Sequence, residues 1–250
     1  MDKHITKIGG ANSHFPHTRW SAIIASGSSN PAERQRGFEV LLESYWKPVY
    51  KYIRLKWRKS NEDAKDLTQA FFTKAIEKDF FKGFDPAKAR FRTFLRTCLD
   101  GFLANEEKAA RRLKRGGHQK ILSLDFDSAD HELQLAEIAA PDKLDDFFDR
   151  EWVRHLYALS VSELRKTLEG SGKAVHFELF ESYDLNGEPS PRVTYEQLAS
   201  DFNLPVTQVT NYLAYARREF RRILLEKLRE LTATDEEFHA EARSLLGADY

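Results

Sequence analysis

Apolar positions recur three or four residues apart through most of this chain, which is the period of amphipathic helices. Phe38, Leu41, Leu42, Tyr45, Val49, Tyr52 and Ile53 form one such stripe. Pro48 lies inside it and is expected to kink or split the helix. Ser60 and Asn61 are good capping residues for a second helix through "EDAKDLTQAFFTKAIEK". A third, "FRTFLRTCLDGFLANEEKAARRLKR", carries Phe91, Phe94, Leu95, Cys98, Leu99, Phe102 and Leu103 on one side and stops at Gly116-Gly117. Helical spacing returns at Phe147 with Trp152, Leu156, Leu159, Leu164 and Leu168. "GSGK" breaks it, "AVHFELFESYDL" is another helix, and "NGEPSPR" is a loop. Two helices follow, over 195–202 and about 206–229, and Thr234-Asp235 caps a short amphipathic helix in the tail. No convincing strand and no internal repeat emerges, so the pattern predicts an all-α fold.

The same pattern divides the chain into five parts. Residues 1–30 form an N-terminal extension in which "RWSAIIAS" supplies one docking turn of helix. Residues 31–115 make a first helical domain, 116–146 an acidic linker, 147–230 a second helical domain, and 231–250 a tail. The linker is weakly periodic and contains Pro141. As a flexible coil it would span roughly 30 Å; fully extended it would reach about 100 Å.

Charge sharpens this picture. The formal net charge is zero, so a blanket electrostatic argument for nucleic acid fails. The distribution, however, runs basic, acidic, basic. Residues 103–120 hold six basic residues against two acids, 125–151 hold two against ten, and 217–229 hold six against two. Cys98 is the single cysteine, so no disulfide within the chain and no multi-cysteine zinc site can form, which suits a reducing compartment. The N-terminus lacks the apolar core of a signal peptide, and no apolar run approaches the roughly 20 residues that span a bilayer. The expected location is the cytoplasm, with no membrane insertion.

The stretch "VTYEQLASDFNLPVTQVTNYLAYARREFRR" carries the most specific pattern. Thr194 and Gln197 have the spacing of a capping box. Leu198 and Phe202 give the short helix an apolar side, and Ala199 lets another helix cross closely. Asn203 tolerates a left-handed backbone, and Pro205 suits a first helical turn. A short helix, a tight turn and a longer helix form a helix-turn-helix pattern. In the longer helix Val206, Val209, Leu213, Ala216 and Phe220 share the core-facing side. Thr207, Gln208, Thr210, Asn211 and Tyr212 occupy the other side of the first turns, where short hydrogen-bonding side chains suit major-groove reading. Arg217, Arg218, Arg221 and Arg222 follow, placed to hold phosphates. The plain alternative is an amphipathic helix with a solvated charged face.

"NEDAKDLTQAFF" is the second unusual stretch. Asp63 and Asp66 suit the first turn of a helix. Asp66, Gln69 and Thr73 also line a polar stripe beside Leu67, Phe71 and Ala75, a composition that suits a partner surface. "DAKDLTQAFF" resembles the DAEDLxQ-type motif of bacterial RNA polymerase sigma factors of the extracytoplasmic-function (ECF) group of the sigma-70 family. The stretch 193–222 resembles their C-terminal helix-turn-helix. The two motifs occur in the expected order around an acidic linker, and the likeness covers roughly residues 36–115 and 147–229.

The resemblance implies a factor that directs promoter-specific transcription initiation. Its partners would be core RNA polymerase and promoter DNA, with an anti-sigma factor as a further class of partner that this sequence does not name. In such factors the first domain (region 2) docks on the clamp helices of the largest polymerase subunit. By match, Asp63, Asp66, Leu67 and Gln69 lie at or beside that contact. The helix after it opens the −10 element, and here its end carries Arg111, Arg112, Lys114 and Arg115 for phosphates. The second domain (region 4) reads the −35 element, implying Thr207, Gln208, Thr210, Asn211, Tyr212, Arg217, Arg218 and Arg221. The chain departs from the family in having Phe94-Leu95 for a usual Trp-Leu, Gly101 for a customary Asn, Asn105 for a customary Asp, and Lys65 for the motif's Glu. The phenylalanines at 80, 81, 84, 91 and 94 suit splayed bases, and suit a core better.

The sequence holds no enzyme signature. "GSGK" at 170–173 lacks the first glycine of a phosphate loop and its terminal Ser/Thr, since Thr167 and Ala174 stand there. His14 and His17 have no flanking ligands, and GxSxG, HExxH and dinucleotide fingerprints are absent. No enzymatic activity, cofactor or metal is expected. The competing readings are a conventional helix-turn-helix regulator with an N-terminal sensing or dimerisation domain and, behind it, a helical enzyme with an unrecognised site.

Overall fold

The computed structural model describes residues 21–110, 124–135, 144–186 and 193–247. They are all-α, with no strand among the described residues. A single turn, α1 (Ala22–Ser26), precedes the long α2 (Pro31–Lys56). Then come α3 (Asn61–Glu77), a 3₁₀ turn at Phe80–Gly83, and α4 (Phe91–Ala110). The second half contains α5 (Phe126–Leu135), α6 (Leu144–Gly170), α7 (Ala174–Phe180) with a π turn at Glu181–Leu185, α8 (Tyr195–Asp201), α9 (Val206–Glu230) and α10 (Asp235–Leu246).

Helix α2 is the centre of the N-terminal half and packs on α1, α3, α5 and α6. Asn30 caps it by accepting from the Ala32 N–H at 3.0 Å, and Pro31 takes the first helical position. Of the kink or split expected at Pro48, the split is corrected: one helix runs from Pro31 to Lys56 through it. An interior proline costs about 3 kcal/mol. Burial of Tyr45, Trp46, Val49, Tyr50 and Ile53 around it offsets that cost, since each large apolar side chain contributes about 2 kcal/mol. The single turn α1 lies close against α2 because Gly37 has no side chain. A Cβ there would come within 2.6 Å of the Ser26 nitrogen and 2.7 Å of the Ala22 carbonyl oxygen.

Two apolar clusters build the interior. The larger joins α1, α2, α3, α4 and α5 to Phe148, Trp152 and Leu156 of α6, to Leu224 and Leu228 of α9, and to Ala242 of α10. The smaller holds Leu164 and Leu168 of α6, Phe177 and Phe180 of α7, Leu198 of α8, and Val209, Leu213 and Ala216 of α9. Thus α6 and α9 each feed both clusters. Phe220 packs against both, with its ring 5.8 Å from Tyr157 and 5.5 Å from Phe180. The boundary expected near residue 147 therefore does not separate two cores.

The acidic segment differs most from expectation. Within 116–146, read as a linker, Phe126–Leu135 is a helix with Phe126, Ala129 and Leu133 buried. Phe126 meets Trp46 edge-on at 5.4 Å and Tyr50 at 5.2 Å. Its acids face cations of α2: Glu132 pairs with Lys47 and Lys51, and Asp130 with Arg54, each at 2.8 Å. Lys51 is buried, and Glu151 of α6 neutralises it from the other side at 2.6 Å. A buried ammonium requires such partners.

Candidate nucleic-acid interface

Helices α8 and α9 meet at a turn that the local residues determine. Thr194 caps α8 by accepting from the Gln197 N–H at 3.2 Å. Asn203 ends it with φ of 51°, the left-handed conformation asparagine adopts at low cost. The next N–H, of Leu204, returns to the Ala199 carbonyl at 2.9 Å. Pro205 is the N-cap of α9, one place earlier than the first-turn position expected of it. No side chain caps α9 and its first turn has no acid, so its positive end suits an anion.

The two sides of α9 divide as the sequence indicates, with one correction. Val209, Leu213 and Ala216 are buried, whereas Val206, expected on the core face, is 40% exposed. Thr207, Gln208, Thr210 and Asn211 are all exposed on the first turns. The Thr210 hydroxyl donates to the Val206 carbonyl at 3.0 Å, which leaves its oxygen lone pairs as acceptors. Tyr212 is half-buried and stacks on His176 of α7 at 3.9 Å. Burial, with Lys173 nearby, pushes the His176 pKa below its ordinary value, which favours the neutral imidazole in this stack.

The arginines separate into two kinds. Arg218 and Arg221 are exposed, the former with its guanidinium 5.3 Å from the Tyr215 ring. Arg217 instead grips Asp184 with two hydrogen bonds of 2.9 Å, and its guanidinium lies 5.2 Å from the Tyr183 ring. The Asp184 carboxylate raises the Arg217 pKa well above its ordinary range. Arg217, expected among the DNA contacts, thus ties the π turn to α9. Arg222 pairs with Glu219 and Glu226 along the helix.

The second candidate surface lies on α3. Ser60 caps the helix by accepting from the Asp63 N–H at 3.1 Å, and its hydroxyl donates back to the Asp63 carboxylate at 2.8 Å. Asp63 is thus engaged in the helix start, although exposed; Asp66 is exposed too. Leu67 is half-buried against the larger cluster. Gln69 is half-buried and lines a shallow hollow with Phe38, Leu42, Phe72, Thr73, Ile76 and Leu124. Lys65 reaches Asp127 of α5 at 3.0 Å, and that contact raises its pKa. This link between α3 and the acidic segment has no local signal in the sequence.

Arg111, Arg112, Lys114 and Arg115 lie outside the described residues. The aromatic cluster before them is largely interior. Phe81 and Phe91 are buried, while Phe80, Phe84 and Phe94 are half-buried, with Phe84 and Phe94 5.4 Å apart. Among the described residues no group of three or more His, Cys, Asp or Glu is arranged to hold a metal, and no helix is long and apolar enough to cross a membrane. Burial pushes the Cys98 thiol up in pKa, away from the reactive thiolate. Compared with family models, with curated proteins and with solved structures, the chain matches none.

Proposed function

We propose that this chain is a sigma factor that joins core RNA polymerase and directs promoter-specific initiation. One observation carries the reading: Thr207, Gln208, Thr210 and Asn211 stand exposed on the first turns of α9, with Arg218 and Arg221 exposed on later turns. Uncharged hydrogen-bonding side chains suit base edges. Cations about two to four turns further suit the phosphates that fix register. The exposed acids of α3 add a second surface, and the order of the two motifs matches the resemblance described above. In this reading Asp63, Asp66, Leu67 and Gln69 meet polymerase, and α9 with the −35 element forms the helix-turn-helix contact. The run Arg111, Arg112, Lys114 and Arg115 grips the −10 region. No covalent chemistry is assigned to the chain; its free energy is spent on binding.

A conventional helix-turn-helix regulator is the second reading, and the shared clusters favour it. Helices α6 and α9 belong to both, as expected of a single unit that senses or dimerises. Run-off transcription with core polymerase on a promoter library separates the two. A sigma factor directs initiation at a defined subset of templates and binds duplex DNA weakly by itself. Tight, sequence-specific duplex binding without core polymerase, and no directed transcription with it, would establish the regulator instead.

A further inference from the structure

We propose that the acidic segment Leu124–Leu133 is a resident occupant of the α2–α3 face and gives way when polymerase binds; this rests on the sigma-factor reading. The contacts are those of a docked amphipathic ligand. Leu124 forms one wall of the hollow whose other walls are Phe38, Leu42, Phe72, Ile76, Gln69 and Thr73. Phe126 anchors on Trp46 and Tyr50. Asp127 holds Lys65, Asp130 accepts from the Tyr50 hydroxyl at 2.9 Å and pairs with Arg54, and Glu132 holds Lys47 and Lys51. Every acid of this helix between 127 and 132 therefore meets a cation of α2 or α3.

The segment covers only part of the candidate polymerase surface. Asp63 and Asp66 stay exposed, whereas Lys65 pairs with Asp127 and Gln69 shares the hollow with Leu124. A partner can thus land on the two exposed acids while the rest of the face is still filled. Completing the contact then requires the hollow and Lys65, and so the departure of Leu124 and Asp127. The closed form lowers the apparent affinity for polymerase by the fraction of molecules in which the segment is open. An acid at position 65 would repel Asp127, so the lysine there is the residue type that the closed form needs.

Hydrogen exchange of the full chain, alone and bound to core polymerase, tests this. Binding should speed exchange in α5 while α2 and α3 keep or gain protection. In parallel, Phe126→Ala with Glu132→Lys should raise exchange in α5 alone and tighten core binding by about fivefold or more. Unchanged or slower α5 exchange on binding overturns the proposal. So does a loosened α5 without tighter binding; either leaves the sigma-factor reading intact. If neither the native chain nor the variant binds core polymerase, both readings fall together. Should the double variant also loosen α2 and α3, Asp127→Lys on an exposed side chain takes its place, with about a twofold gain as the expected result and no gain as the refutation.

Discussion

Glu241 of α10 lies 2.8 Å from the guanidinium of Arg92 at the start of α4, and both side chains are buried. Arg90 reaches the same oxygen at 2.7 Å, and Asp149 of α6 takes the Arg92 Nε–H at 3.1 Å. The Arg92 guanidinium also lies 4.8 Å from the centre of the Trp152 ring. Burial works against its charge, yet Glu241 and Asp149 outweigh it and hold the pKa above the ordinary arginine value. The tail helix is thereby fixed to the first half of the chain. Glu241→Ala should cost about 3 kcal/mol in urea unfolding, because it takes the buried carboxylate from a buried cation and leaves it the half-exposed Asp149. Arg92→Met with Glu241→Leu should recover most of that loss, since a well-packed apolar pair replaces a buried ion pair at little cost. A double variant as weak as the single one would show that the ions themselves are required.

His155 gives the fold an acid limit. Its Nε2 lies 2.8 Å from the Glu43 carbonyl oxygen, so the neutral ring donates there, and Trp46 meets it edge-on at 6.0 Å. Burial pushes its pKa down to about 4; Lys47 and Lys51 act in the same direction, and Glu132 and the Glu43 carbonyl oppose them. In the unfolded chain the ring titrates near 6.5. Between these values the unfolded state binds a proton that the folded state does not. Stability is therefore full above about pH 6.5 and falls as pH drops towards 4, by about 3 kcal/mol for this group. His155→Gln keeps a donor for Glu43 and should flatten the unfolding free energy between pH 7 and 4.5. An unchanged slope would assign the acid sensitivity elsewhere.

The turn between α8 and α9 depends on the Asn203 backbone. At φ of 51° a side chain with no polar group of its own is strained. Asn203→Ala should lower stability by about 1 kcal/mol, and Asn203→Gly should not. Thr194→Ala, which removes the α8 cap, should cost about 1 kcal/mol independently. Denaturant midpoints of the three variants check this; an Asn203→Gly loss equal to that of Asn203→Ala would mean that the asparagine side chain, not its backbone, matters.

What the sequence made legible follows from the range of each interaction. Helices were readable where apolar spacing is local, as with Val209, Leu213 and Ala216, or where a cap announces the start, as with Thr234 before α10. Helix α5 was not. Its three buried apolar residues are diluted by acids whose partners, Lys47, Lys51, Arg54 and Lys65, lie more than 60 residues away. Pro48 does not split its helix for a related reason: the local rule is sound, and tertiary burial offsets it. At the candidate site the exposed polar residues of α9 could be read from helical phase alone. The commitment of Arg217 to Asp184 could not, because it depends on how the π turn folds back.

The division of labour on α9 is open to direct measurement. Gln208 and Asn211 are exposed on the first turns, while Arg218 and Arg221 lie two to four turns on. If the first pair reads bases, Gln208→Ala or Asn211→Ala should lose about 1–3 kcal/mol at the preferred upstream sequence and much less at others, relaxing preference at one or two positions. Arg218→Ala and Arg221→Ala should instead weaken all sequences alike and lower the salt dependence of binding by about one ion each. Arg217→Ala should behave differently from both, chiefly loosening the π turn against α9, because its guanidinium is already held by Asp184. Promoter-library selection with the polymerase complex, repeated at two salt concentrations, reads all five variants at once. A uniform loss across sequences for Gln208 and Asn211 would remove base reading from this helix and leave it a phosphate-gripping surface only.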